Sequence, residues 1–185
     1  MKIKTKNQGL IYFNFTNIQF DAHSKIQERK RLGKPCKIVF LKSRQVGMST
    51  LTEARFFSNI LFRKAKNAFV LADKSDSAKN IFAMTKRYYD NLPDGLKIPL
   101  IKDSTEELAL QTDSSFRVGT AGSKSVGRSM TINYFHGSEV AFWSNANEIV
   151  SGMLQTIPDN PESELILEST ANGTSGDGAY FYNLV

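Results

Sequence analysis

Short apolar runs alternate along the chain with longer stretches of helical period. Cys36-Lys37-Ile38-Val39-Phe40-Leu41 is nearly continuous and rich in β-formers, which predicts a strand buried in a parallel sheet. Over residues 51–64, Leu51, Ala54, Phe57 and Leu61 recur at helical spacing, and Arg63 and Lys64 stand where a helix end favours cations. Asn67 to Ala72 repeats the strand pattern. Ser75 or Asp76 then opens a second helix running to Tyr89, closed by the breaker group Asn91-Leu92-Pro93-Asp94-Gly95. Residues 107–111 and 115–119 flank the turn Thr112-Asp113-Ser114 and predict a hairpin. Residues 131–135 and 164–170 read as strands, and 146–156 as a helix. Ahead of the first strand, Ile18, Ala22 and Ile26 mark a further helical run. This alternation predicts a single α/β domain over residues 1–185, with a mainly parallel central sheet flanked by helices on both faces. Ligands in such sheets bind at the carboxyl ends of the strands.

Composition narrows the class. A chain of 185 residues with 41% hydrophobic and 23% charged residues suits one globular core rather than a disordered segment. Lys and Arg number 24 against 18 Asp and Glu, a net charge of +6 that is compatible with a polyanionic partner and common without one. The single cysteine, Cys36, excludes an intrachain disulfide, and His23 and His136 are too few for a His-rich site. An intracellular, reducing compartment is expected. No apolar run approaches the ~18 residues of a membrane span, and the basic start lacks the apolar stretch of a secretory signal.

The most informative stretch is Lys42-Ser43-Arg44-Gln45-Val46-Gly47-Met48-Ser49-Thr50, which leaves a predicted strand and opens a helix. Phosphate-binding loops require that context. Gly47 permits close backbone approach, and the N–H groups of Met48, Ser49 and Thr50 lie at the positive end of the helix. Ser49 stands where P-loop enzymes place the hydroxyl that ligates Mg²⁺. The loop departs twice from G-x-x-x-x-G-K-[ST]: Lys42 replaces the first glycine and Met48 replaces the lysine. A loop that merely caps a helix, with Lys42 and Arg44 solvated, is the plainer alternative.

Downstream, Ile132 to Trp143 has the outline of a strand ending in an acid, Glu139, placed to act as general base, with Ser138 where an aspartate commonly assists Mg²⁺. Leu165-Ile166-Leu167-Glu168-Ser169-Thr170-Ala171-Asn172-Gly173 is an apolar run ending in hydrogen-bonding side chains. Gln19 sits near the start of the first helical run. Ala121 to Ser129 is a Gly- and Ser-rich basic loop carrying Lys124 and Arg128, and Glu28-Arg29-Lys30-Arg31 is a charge run suited to a solvated face or to DNA phosphates.

These segments, in this order from Thr16 to Gly173, resemble the ATPase motor domain of phage terminase large subunits. The resemblance implies a P-loop NTPase fold of the ASCE type, with ATP and Mg²⁺ as cofactors. It implies that Lys42 takes the role of the missing lysine and that Arg44 acts in cis on the γ-phosphate. The rest of the loop, Ser43, Gln45, Val46, Gly47, Met48, Ser49 and Thr50, would hold the nucleotide, with Ser49, Ser138 and Glu139 toward the metal. Glu139 becomes the base for the lytic water, Ser169, Thr170 and Asn172 the coupling motif, Gln19 the reader of adenine, and Arg128 an arginine finger. Double-stranded DNA, the portal protein, the small terminase subunit and sister subunits in a homo-oligomeric ring would be the partners, in the host cytoplasm. The family's carboxyl-terminal nuclease domain is not expected within these residues. A helicase-like ATPase remains open, as does a non-hydrolysing nucleotide- or DNA-binding module, which Met48 and Ser138 favour.

Overall fold

The computed structural model describes residues 1–5, 7–122 and 130–185. Its elements are β1 (Lys2–Thr5), β2 (Gly9–Tyr12), α1 (Asn17–Arg31), β3 (Cys36–Leu41), α2 (Met48–Phe62), β4 (Asn67–Ala72) and α3 (Ser75–Asp90). There follow β5 (Leu100–Asp103), β6 (Glu107–Leu110), β7 (Ser115–Thr120), β8 (Tyr134–Ser138), α4 (Ala146–Leu154), β9 (Glu164–Ser169) and α5 (Gly178–Leu184). Seven strands form one sheet in the order β3-β9-β8-β4-β7-β6-β5. The five from β3 to β7 run parallel, and β6 and β5 add an antiparallel edge. β1 and β2 make a separate hairpin.

The period of two in the strands sorts the core onto the two faces of this sheet. On β4, Ala68, Val70 and Ala72 pack with Phe56, Phe57 and Ile60 of α2 and with Ile81 and Phe82 of α3. The alternate residues Phe69 and Leu71 pack on the other face, with Val150 and Met153 of α4 and Phe181 of α5. Ile166 of β9 joins the first cluster, while Leu165 and Leu167 join the second. Burial on both sides explains why β4 and β9 read as near-continuous apolar runs, while β3, at the edge of the sheet, is only partly buried.

The chain leaves β3 through α2 and returns at β4, skipping the places that β9 and β8 later fill. The carboxyl ends of β3, β9, β8 and β4 therefore stand side by side at a switch in strand order, where open α/β sheets bind ligands.

Several boundaries differ from the sequence pattern. The strand expected over 131–135 is β8, three residues further on, because His136 and Gly137 interrupt the apolar run yet are buried. His136 is paired with Glu53 at 2.5 Å. At Gly137 an added Cβ would lie 2.8 Å from Leu167 and 2.9 Å from Val140, so no side chain fits. α2 starts at Met48, directly from the loop, and α3 at Ser75, with Asp76 in its first turn. The β1–β2 hairpin, β5 and α5 carry no strong pattern, since they are short and largely exposed.

Candidate active site

Beyond β3 the backbone turns twice through the left-handed region, at Gln45 (φ 64) and Gly47 (φ 77), before α2 begins. Thr16 and Gln19 form a capping box at the start of α1, Gln19 Oε1 accepting from the Thr16 N–H at 2.9 Å. The Gln19 amide Nε2 then donates to the Gly47 carbonyl at 2.7 Å, bracing the loop from behind. A Cβ on Gly47 would approach that nitrogen to 2.6 Å. Gln19 is only 3% exposed, and its amide makes one bond as acceptor and one as donor within the protein. Met48 is also 3% exposed and packs with Ala22 and Leu51, alongside Val46. Its side chain is part of the core and does not line the cavity that Lys42 and Glu139 share. Ser43, Arg44 and Gln45 are exposed, and Thr50 is half-buried with its carbonyl accepting from the Tyr88 hydroxyl at 3.3 Å.

Three of the sequence segments converge at this point. Lys42 Nζ donates to Glu139 Oε1 at 2.8 Å. The other carboxylate oxygen, Oε2, accepts from the Thr170 N–H at 3.2 Å, the Thr170 hydroxyl at 3.3 Å and the Ser169 hydroxyl at 3.5 Å. Glu139 holds φ 56 at the end of β8, a left-handed conformation costing a non-glycine residue roughly 1–3 kcal/mol. Such strain persists where surrounding structure fixes it, and here the turn aims the carboxylate at the loop after β3. The Ser169 hydroxyl also accepts from Ala141 N–H at 3.1 Å, and the Asn172 amide donates to the Ala141 carbonyl at 2.8 Å. Lys42, Arg44, Asp73, Lys74, Glu139 and Thr170 line a cavity of about 350 Å³. A larger cavity of about 500 Å³ runs along α2, lined by Phe13, Phe15, His23 and Arg55, and shares none of these residues.

Beneath the cavity lies a buried charged row. The Ser49 hydroxyl donates to Glu168 Oε1, and the Ser138 hydroxyl reaches the same oxygen at 3.4 Å. Glu168 Oε1 lies 3.2 Å from His136 Nε2, and His136 Nδ1 meets Glu53 on its other side. Burial opposes charge on the imidazole, but the Glu168 and Glu53 carboxylates outweigh it and push the His136 pKa up to about 9. Burial likewise opposes charge on Glu168, yet His136, Lys42 and the Ser49 hydroxyl hold its pKa below the ordinary value. For Glu53 burial wins and the pKa is raised. Glu168 Oε2 is buried and makes no hydrogen bond among the described residues.

Asp73, Lys74 and Glu168 were not singled out by sequence, since nothing local distinguishes them; their positions at strand ends become visible only with the strand order. Lys30 is not a solvated member of its charge run. It turns inward to Glu164 at 2.6 Å, beside the Arg55 guanidinium, which holds the same carboxylate at 2.5 and 2.9 Å. Arg128 and Lys124 lie outside the described residues.

No protein-family profile matches the sequence. Among solved structures, the chain is similar to the large terminase of bacteriophage HK97, with a TM-score of 0.72 and 11% identity over 92% of this chain and 36% of that one. It is also similar to the large terminase ATPase domain of Thermus phage P74-26, with a TM-score of 0.62 and 16% identity over 92% of this chain and 69% of that one. The chain thus spans 36% of the HK97 protein's length. At these identities the likeness is one of fold: the chain has a mixed α/β fold with a mainly parallel central sheet, matching that of phage large terminase ATPase domains. Among the described residues, no helix is long and apolar enough to cross a membrane.

Proposed function

We propose that the chain is an ATP-hydrolysing motor domain of the large-terminase type, coupling ATP turnover to translocation of double-stranded DNA into a procapsid. The observation that carries this reading is the meeting of Lys42, Glu139 and Thr170 over one cavity at the carboxyl ends of β3, β8 and β9. A polyphosphate entering that cavity offers Lys42 a partner richer in charge than Glu139. As the ammonium transfers to phosphate, Glu139 is released to accept a proton from water, the general-base role. Arg44 adds a second cation at the mouth, and the N–H groups opening α2 donate to phosphate oxygens.

The donors present suit Mg²⁺ held mainly by the nucleotide. Among the described residues no three His, Cys, Asp or Glu side chains gather to hold a metal unaided, while Ser49 offers a hydroxyl whose proton is already engaged by Glu168. Mg²⁺ supplies neutralisation of phosphate charge when bound. Ser169 and Thr170 sense the state of Glu139 directly, and Asn172 ties that turn to the segment leading to α5. Loss of the γ-phosphate returns Lys42 to Glu139, and that exchange moves the coupling segment. Gln19 braces the loop on which adenine would rest. The setting proposed is the host cytoplasm, with the portal protein, the small terminase subunit and sister subunits in a ring as partners, one neighbour supplying a finger such as Arg128.

Ser138, where an acid is usual, favours a second reading: a nucleotide-binding module without turnover. Phosphate release from ATP and Mg²⁺ at high protein concentration, with and without double-stranded DNA, separates the two. Release above that of Glu139→Ala, stimulated by DNA, is expected for the motor. Tight nucleotide binding with release equal to the variant's would leave the non-hydrolysing module standing.

A further inference from the structure

We propose that Glu168 of β9 supplies the carboxylate that β8 lacks at Ser138, orienting the Ser49 hydroxyl toward Mg²⁺. This inference rests on the ATPase reading above and names a positioning residue within its site.

In P-loop enzymes an acid at the end of the strand bearing the general base steadies the metal beside the loop's hydroxyl. Here that place holds Ser138, buried and uncharged. Ser138 and Glu168 are partners in the parallel register of β8 and β9, so the two side chains occupy neighbouring rungs at one level of the sheet. Both Ser138 and Ser49 direct their hydroxyls to the same Glu168 oxygen. A hydroxyl that gives its proton to a carboxylate keeps its lone pairs for a cation. Ser49 is therefore held in the sense a metal ligand needs.

The acid is otherwise costly. Glu168 is fully buried inside an apolar strand, and an ionised carboxylate there requires compensation. His136, between Glu168 and Glu53, provides it within the protein. One Glu168 oxygen, Oε2, is still without a hydrogen bond among the described residues. A purely structural pair with His136 accounts neither for that oxygen nor for the two serines gathered on the other. The chemistry that fits is a carboxylate backing a hard divalent cation through its hydroxyl ligand and coordinated water.

The test measures how binding of a fluorescent ATP analogue to the 185-residue chain depends on Mg²⁺ concentration. Outer-sphere partners of metal ligands are worth about 10- to 100-fold in metal affinity, so Glu168→Gln should raise the Mg²⁺ midpoint by about that factor. Glu53→Gln removes the other carboxylate of His136 but touches neither Ser49 nor Ser138, and its midpoint should stay at the parent's. Adding Ser138→Asp to Glu168→Gln returns the acid to β8 and should restore the midpoint. If Glu168→Gln does not fold, Glu168→Asp, which keeps a negative charge in the row but withdraws the carboxylate from Ser49 and His136 alike, should show the same rise.

An unchanged midpoint in a folded Glu168 variant, an equal rise in Glu53→Gln, or a parent whose binding ignores Mg²⁺ would overturn the proposal while leaving nucleotide binding intact. A parent that binds no nucleotide at all removes the ATPase reading, and this inference falls with it.

Discussion

Replacing Lys42 and Met48 separately by alanine distinguishes a relocated phosphate lysine from an ordinary loop. Lys42 is nine-tenths buried by its side chain and meets Glu139 at 2.8 Å, within reach of the cavity. A charge-assisted hydrogen bond to phosphate contributes about 1.5–3 kcal/mol, which corresponds to about 10- to 150-fold in nucleotide affinity. Two corrections oppose each other. The parent gives up the Lys42–Glu139 pair on binding, a loss of roughly 1 kcal/mol for partly exposed ions. The variant leaves the Glu139 charge facing the triphosphate, a repulsion of about 1–4 kcal/mol at the dielectric of water or of a protein surface. The loss expected for Lys42→Ala is therefore tenfold or more in affinity.

Met48 has the opposite profile. Packed against Ala22 and Leu51, its truncation costs about 2–5 kcal/mol of stability. At a temperature where the variant stays folded, its affinity should be near the parent's. Titration with a fluorescent ATP analogue, paired with urea unfolding, should give a crossed pattern: affinity falls in one variant, stability in the other. A larger affinity loss for folded Met48→Ala than for Lys42→Ala would refute the relocation.

Three further outcomes follow from the same geometry. Glu139→Gln retains hydrogen-bond acceptance from Thr170 but loses the base, so turnover should fall by about 10²–10⁴ in a phosphate-release assay. ATP affinity should equal or exceed the parent's, since Lys42 no longer has a carboxylate to leave. Gly47→Ala combines φ 77 with a contact of 2.6 Å to Gln19, and should cost roughly 1–2 kcal/mol from backbone strain alone, read by urea unfolding together with weaker nucleotide binding. At the far end of β9, burial raises and Arg55 and Lys30 lower the pKa of Glu164, with a net depression below the ordinary 4.5. A depressed carboxylate stabilises the fold above pH 4.5 and loses that contribution as pH falls through the folded value. Glu164→Gln should be roughly 3–5 kcal/mol less stable at neutral pH, with Arg55 and Lys30 left buried and uncompensated. Parent and variant should converge in stability on acidification, and a constant gap from pH 7 to pH 3 would refute this account.

The parallel strands were legible from their apolar runs, Ile38 to Leu41, Ala68 to Ala72 and Leu165 to Leu167: β3, β4 and β9 appear in sequence almost at their true bounds. β8 was displaced because His136 and Gly137 look like a break until Glu53 and the tight packing around Gly137 are in view. Those partners are separated from it by 83 residues in the first case, beyond the reach of any local pattern. Exposed, short elements such as β1 and β5 bury too little to impose a period. The candidate site divides the same way. Lys42 and Glu139 were found through their motif surroundings, whereas Asp73 and Glu168 depend on which strands are neighbours.

On the ATPase reading proposed above, that dependence explains how a phosphate site tolerates two departures from the usual pattern. Electrostatic work at the cavity depends on where charges sit, not on their order in the chain. At position 48 the helix turns the side chain into the core, so a hydrophobic residue there improves packing while the cation enters from Lys42. At position 138 the acid is absent, but adjacent strands lie only ~4.8 Å apart, and glutamate reaches one methylene further than aspartate. Glu168, on the neighbouring strand at the same register, meets Ser138 and Ser49 through one oxygen. Both substitutions move a charge sideways while keeping it at the same end of the sheet. A linear motif search counts them as two losses; in the folded chain both charges remain within reach of the same loop.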